Sequence, residues 1–133
     1  AYSKAVPGPT GYEWLSYNND NVHAYNADPL CGFMFSVGGY AALSKLTQEA
    51  CSPTTASHIP PSLPFLFIAG EDDPVGASGK GVYKAAQLTK DAGVTDVTTV
   101  LYPHMRHEIL CEDNRSLVYS DILKWLGEHH GNN

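Results

Sequence analysis

Basic side chains are scarce in this chain. Its 133 residues hold 8 Lys and Arg against 14 Asp and Glu, a formal net charge of −6. That balance argues against a nucleic-acid partner, because phosphate binding draws on a surplus of positive side chains. No apolar run reaches the length of about 18 residues that a membrane-spanning helix needs, so no membrane span is expected. The opening AYSKAVPGPTGYEW has no charged segment followed by an apolar one, and no secretory leader is expected. The three cysteines, Cys31, Cys51 and Cys111, form no C-x-x-C pair. An odd, scattered set reads as free thiols in a reducing compartment, so a cytoplasmic location is expected. There is no internal repeat and no phosphate-binding loop: GASGKGV at 76–82 has the composition of one but not the spacing. Neither a cofactor nor a metal is expected. His107-Glu108 opens like the zinc motif H-E-x-x-H, but Cys111 stands where the second histidine belongs. His104 and His107 would bracket a metal only on a helix, and Pro103 argues against one.

What is present divides in two. A chain of this length holds one domain at most, with a modest core. The first part, to about residue 58, is rich in aromatics, Gly, Asn and Pro. Short helices are expected near 11–17 and 19–27, and a longer one over 36–50 with Tyr40, Leu43, Leu46 and Ala50 on one face. SPTTASHIPPS then reads as a loop or linker. In the second part, LPFLFIA at 63–69 is a continuous apolar run closed by Gly70, the pattern of a strand buried on both faces. A helix follows over 78–92, with Val82, Ala85, Leu88 and Ala92 inward and Gly93 as its stop. VTTVLY at 97–102 is a β-branched strand. A last helix over 114–126 turns Val118, Ile122, Trp125 and Leu126 inward and ends at Gly127. Strand, helix, strand, helix is a βαβα unit, so the strands should be parallel with a right-handed crossover.

Loops that follow parallel strands leave the same edge of the sheet. One such loop is GEDDPVG, 70–76; the other carries His107. Adjacent strands lie ~4.8 Å apart, so a carboxylate from one loop can reach an imidazole on the other. That pairing fixes a histidine tautomer and stabilises the protonated ring during acyl transfer. Glu71, Asp72 and Asp73 compete for the role. Asp73 precedes Pro74, which restricts its backbone and favours it for aiming a short side chain. The plainer alternative makes all three acids solvated turn residues and His107 a surface histidine ahead of a helix. His129 and His130 read as solvated tail residues. His23 and His58 have no evident partner.

GEDDPVGASGKGVYKAA, YPHMRHEILCEDNRSLVYSDILKWL and WLSYNNDNVHAYNADPLCGFMFSVGGY together resemble the C-terminal half of an α/β-hydrolase. The similarity is to the lysophospholipase and monoacylglycerol-lipase-like serine hydrolases, and runs from about Glu13 to Leu126. The resemblance implies that Asp73 matches the triad acid and His107 the triad base. It implies that 1–58 is the end of a cap, or lid, with its linker, and that 59–133 is the C-terminal part of the core. Leu30, Phe33 and Phe35 would then be cap residues near the substrate, although core packing would account for them as well.

One part of the pattern is missing. In this fold the nucleophile comes first, on a G-x-S-x-G elbow, followed by the acid and the histidine. No serine here has that setting. Ser36 in GFMFSVGG has Gly38 after it but Met34 where the first glycine should be, and no buried strand before it. The oxyanion-hole loop is also absent. The expectation is therefore an α/β chain supplying two triad members of an enzyme that cleaves carboxylic esters, inactive alone. Its substrate would be a small ester or lipid. Its partner would be the complementary N-terminal half, or failing that a second copy, pairing with the edge of strand 63–69. The alternatives are a non-catalytic module binding a lipid or a partner through the cap aromatics, and a metal enzyme using His104, His107 and Glu108.

Overall fold

Two parallel strands, β1 (Phe65–Gly70) and β2 (Val97–Tyr102), form the only sheet among the described residues. The computed structural model describes residues 2–129. Phe65 pairs with Val97 and Gly70 with Tyr102, so the strands end level and their following loops start side by side. The helix between them, α5 (Lys80–Asp91), completes the expected crossover. It begins after an unusual turn, Ala77-Ser78-Gly79, in which all three residues have positive φ. Gly79 suits the last position of that turn, since glycine adopts positive φ freely and a Cβ there would meet Leu101 Cδ1.

Alternation along the strands sorts side chains onto two faces. Ile68 and Val100 pack on the buried cluster of Tyr102, Met105, Ile109 and Val118, joined by Ile122 from the last helix, α6 (Arg115–His129). Phe65 and Phe67 turn the other way and line a cavity of about 220 Å³ with Ala85, Leu88 and Thr89 of α5. The Tyr102 hydroxyl donates to Asp121 Oδ2 at 3.0 Å and ties β2 to α6. Burial, then that hydrogen bond, pushes the Tyr102 phenol up to about 12.

The first part of the chain is helical: α1 (Tyr2–Ala5), α2 (Asn19–Ala27), α3 (Val37–Ala50) and α4 (Pro53–Ala56). Asn18 caps α2 by accepting from the Asp20 and Asn21 amides. Ser36 caps α3 through the Gly39 amide. Five expectations fail locally. Residues 11–17 form turns rather than a helix, because Glu13 folds back onto the Thr10 and Gly11 amides. The 52–62 segment contains α4, started by the Ser52 cap and Pro53. Helix α6 runs through Gly127 instead of stopping there. Strand β1 is not buried on both faces: Gly70 is its one buried residue, since it has a single neighbouring strand among the described residues. The apolar face of α3 is also bare: Tyr40, Leu43 and Leu46 are all about half exposed or more, and no residue of α3 is buried.

Candidate active site

The level ends of β1 and β2 bring the 70–79 and 103–112 loops into backbone contact. The Glu71 amide donates to the Tyr102 carbonyl at 2.9 Å and the Asp72 amide to the Met105 carbonyl at 3.0 Å. Gly70 permits this approach: a Cβ on it would lie 2.2 Å from the Met105 carbonyl oxygen and 2.3 Å from that of Arg106.

Asp73 is held by its own turn. Its amide donates to the Gly70 carbonyl, its carbonyl accepts from the Ser78 amide at 2.9 Å, and its Oδ1 accepts from the Val75 amide at 2.8 Å. The other oxygen, Oδ2, faces His107 Nδ1 at 3.1 Å. The acid is buried, whereas the His107 side chain is 40% exposed. A carboxylate only accepts, so Nδ1 carries the shared hydrogen and the neutral ring presents Nε2 as an acceptor. No hydrogen bond among the described residues engages Nε2. This arrangement leaves a basic nitrogen at the surface with its tautomer set from behind, which is what proton transfer from a hydroxyl requires.

The competing acids go elsewhere. Asp72 Oδ2 accepts from the Tyr17 hydroxyl at 3.0 Å, and Glu71 is exposed. Glu108 takes the Asn21 side-chain amide at 2.5 Å. Among the described residues no three His, Cys, Asp or Glu side chains converge as a metal cluster. Leu30, Phe33 and Phe35 are exposed; Phe33 packs edge-on against Phe35, and Phe35 against Tyr40, with no ring contact to His107. Ser36 is occupied as a helix cap. Ser78 has a left-handed φ of 52°, but Lys80 stands where an elbow would need glycine, and the Ser78 amide is committed to the Asp73 carbonyl. His129 is no free tail residue: Nδ1 donates to the Trp125 carbonyl at 2.6 Å and Nε2 lies 3.0 Å from Asp96 Oδ2. His130 lies outside the described residues. His58 bonds to the Thr54 carbonyl. All three cysteines are free thiols, and burial, with Asp28 and Glu108 nearby, pushes Cys31 up.

Sequence reasoning missed a layer that packs on the histidine loop. Trp14 lies beside the His107 ring, centroids 5.4 Å apart. The Arg106 guanidinium sits 3.7 Å over the Tyr17 ring and donates to the Glu13 and Ser16 carbonyls. Glu112 is buried against Ser16, Tyr17 and Asn18. Nothing local signals this, because Glu112 stands in the polar run Glu112-Asp113-Asn114-Arg115.

The family described as serine aminopeptidase, S33, matches residues 1–114. This chain belongs to the serine aminopeptidase S33 family. Solved structures agree on the α/β-hydrolase fold. A highly thermostable carboxyl esterase from Bacillus coagulans, solved with glycerol, is 28% identical over 95% of this chain, with a TM-score of 0.83. A lipase in its open form is 26% identical over 91%, with a TM-score of 0.76. A monoacylglycerol lipase from Paleococcus ferrophilus is 24% identical over 96% with a TM-score of 0.67, a likeness of fold alone. The chain spans 42%, 39% and 49% of those three proteins, so this S33 chain corresponds to less than half of each fold. No helix among its described residues is long and apolar enough to cross a membrane.

Proposed function

We propose that this chain supplies the acid and base of a serine hydrolase that cleaves carboxylic esters. The observation that carries the reading is the bond between buried Asp73 and His107 Nδ1 at the carboxyl edge of a parallel sheet. Family membership and the esterase and lipase neighbours support it. A serine from the complementary N-terminal half attacks the ester carbonyl while His107 Nε2 takes its proton. The tetrahedral intermediate collapses to an acyl-serine, and the imidazolium returns the proton to the departing alcohol. Water, deprotonated by the same nitrogen, then attacks the acyl-serine, and the imidazolium returns that proton to the serine oxygen as the acid is released. Asp73 holds the ring and stabilises its charged form throughout. Residues 1–58 act as the end of the cap, with Leu30, Phe33 and Phe35 as an apolar surface for a lysophospholipid, monoacylglycerol or related ester. The exposure of these aromatics also supports a second reading, a non-catalytic lipid- or partner-binding module.

Activity separates the two. The chain alone should neither turn over p-nitrophenyl esters nor be labelled by a fluorophosphonate. Co-expressed with a hydrolase N-terminal half carrying G-x-S-x-G, it should gain activity; Asp73→Asn should remove about 10⁴-fold of it and His107→Ala about 10⁶-fold. Labelling of any serine in the isolated chain would overturn the proposal.

A further inference from the structure

We propose that Glu112 is a positioning residue for His107: its buried carboxylate draws the 16–18 backbone and the Arg106 amide onto its two oxygens and so fixes where the imidazole stands. The inference rests on reading His107 as the base, and it assigns a role to a group five residues away that touches neither reacting partner.

Glu112 is 2% exposed. A carboxylate in the interior is costly unless its lone pairs are satisfied. Here they are. Oε2 accepts from the Ser16 hydroxyl at 2.7 Å, the Tyr17 amide at 2.9 Å and the Asn18 amide at 3.2 Å, and Oε1 accepts from the Arg106 amide at 2.7 Å. Among the described residues no basic side chain pairs with it directly. The adjacent guanidinium of Arg106 instead reaches across to the Glu13 and Ser16 carbonyls and lies over Tyr17. An apolar side chain could fill this space, but it would not specify directions. Four converging donors do, because each must point at its oxygen.

The result brackets the histidine. The residue before it is held through the Arg106 amide on Glu112, and the peptide after it by the Glu108 amide, which donates to the Leu15 carbonyl at 2.8 Å. Asn18 Nδ2 adds a bond to the Cys111 carbonyl at 2.9 Å. With both neighbouring amides fixed, the His107 backbone has little freedom, and the ring is left to settle between Trp14 and Asp73 Oδ2. The same segment that Glu112 gathers carries Trp14, and it carries Tyr17, whose hydroxyl binds Asp72 beside the acid. A single carboxylate therefore sets both the loop that bears the base and the wall against which the base rests.

Placement, as opposed to mere loop stability, has its own signature. In the full chain labelled with ¹⁵N-histidine, long-range proton–nitrogen correlation distinguishes the Nδ1–H tautomer of His107 from the Nε2–H tautomer. Wherever the ring is neutral, the unaltered chain should show Nδ1–H. Glu112→Gln puts an N–H₂ against a donor at one oxygen, and should lose that pattern and give the tautomer mixture of Asp73→Asn. Ser16→Ala, which removes one donor with little change in packing, should show partial loss. Asp113→Asn, at the exposed neighbouring acid, should keep the pattern of the unaltered chain. A folded Glu112→Gln chain with an unaltered His107 signature, whatever its melting temperature, would overturn the proposal. Should Glu112→Gln fail to fold, Ser16→Ala decides alone: an unaltered signature overturns, a mixed one supports. An Asp73→Asn chain that keeps the Nδ1–H pattern would sink the Asp73–His107 pairing itself, a different failure.

Discussion

A hydrogen atom where other residues have a side chain is what lets the two loops touch at Gly70. Gly70→Ala would place a methyl 2.2 Å from one backbone carbonyl oxygen and 2.3 Å from another, and backbone cannot swing aside as a side-chain tip can. The expected cost is roughly 1–3 kcal/mol, the usual range for overpacking a tight site. The loss should extend to the Asp72–Met105 bond and to the distance between Asp73 and His107. Denaturant unfolding checks the first part and the His107 tautomer signal the second; a change within ~0.5 kcal/mol would show that the loops have room to part. The contact between the two loops was legible in sequence because parallel strands present their loops at one edge; the residue before proline favoured Asp73 over Glu71 and Asp72 without excluding them, and the family resemblance made the choice. Glu112 was not legible. Three of its four donors lie more than ninety residues away, on Ser16, Tyr17 and Asn18, and a glutamate in a polar run has no local mark of burial.

Helix α6 shows how a stop signal is overridden at the scale of an element. Gly127 was read as a terminus, yet His129 bonds back to the Trp125 carbonyl and reaches Asp96 ahead of β2, and these contacts carry the helix one turn further. No atom lies within 4 Å of a Cβ built on Gly127. Gly127→Ala should therefore stabilise the chain by about 0.4–1 kcal/mol through a less flexible unfolded state, and a lowered unfolding midpoint would contradict it. The His129 contacts also predict a pH dependence. The bond to the Trp125 carbonyl, and then Asp96, raise the His129 pKa above its ordinary value of 6.5. A raised histidine stabilises the fold most when it is protonated in both states, and that contribution drains away as pH climbs through the raised value. The melting-temperature gap between the unaltered chain and His129→Gln should thus be widest below 6.5 and close above the raised value. A gap that grows with rising pH would reverse the assignment. Helix and strand positions were mostly readable from periodicity, but burial was not: α3 has a good apolar stripe and nothing to place it against.

The whole molecule exposes 8950 Å². A folded monomer of 14.4 kDa exposes about 6,800 Å². The difference, about 2,000 Å², is more than one partner usually contributes to a standard interface and falls in the range of obligate ones. The free edge of β1 and the bare face of α3 are two parts of that surface. Light scattering should accordingly find the chain self-associated or bound to a complementary hydrolase half; a monodisperse, cooperatively unfolding 14.4 kDa species would contradict this. Chain distance adds an order of events. Pairing β1 with β2 joins residues 32 apart, such as Phe65 and Val97, while Glu112 must find Ser16 across 96. Closing the longer loop costs roughly 0.6 kcal/mol more per doubling of length, so the strand pair and its Asp73–His107 corner can assemble first. The 13–21 segment should then dock onto a corner already made. In hydrogen exchange its amides should open before those of the β1–β2 pair, so that the base loses its supporting wall before it loses its acid.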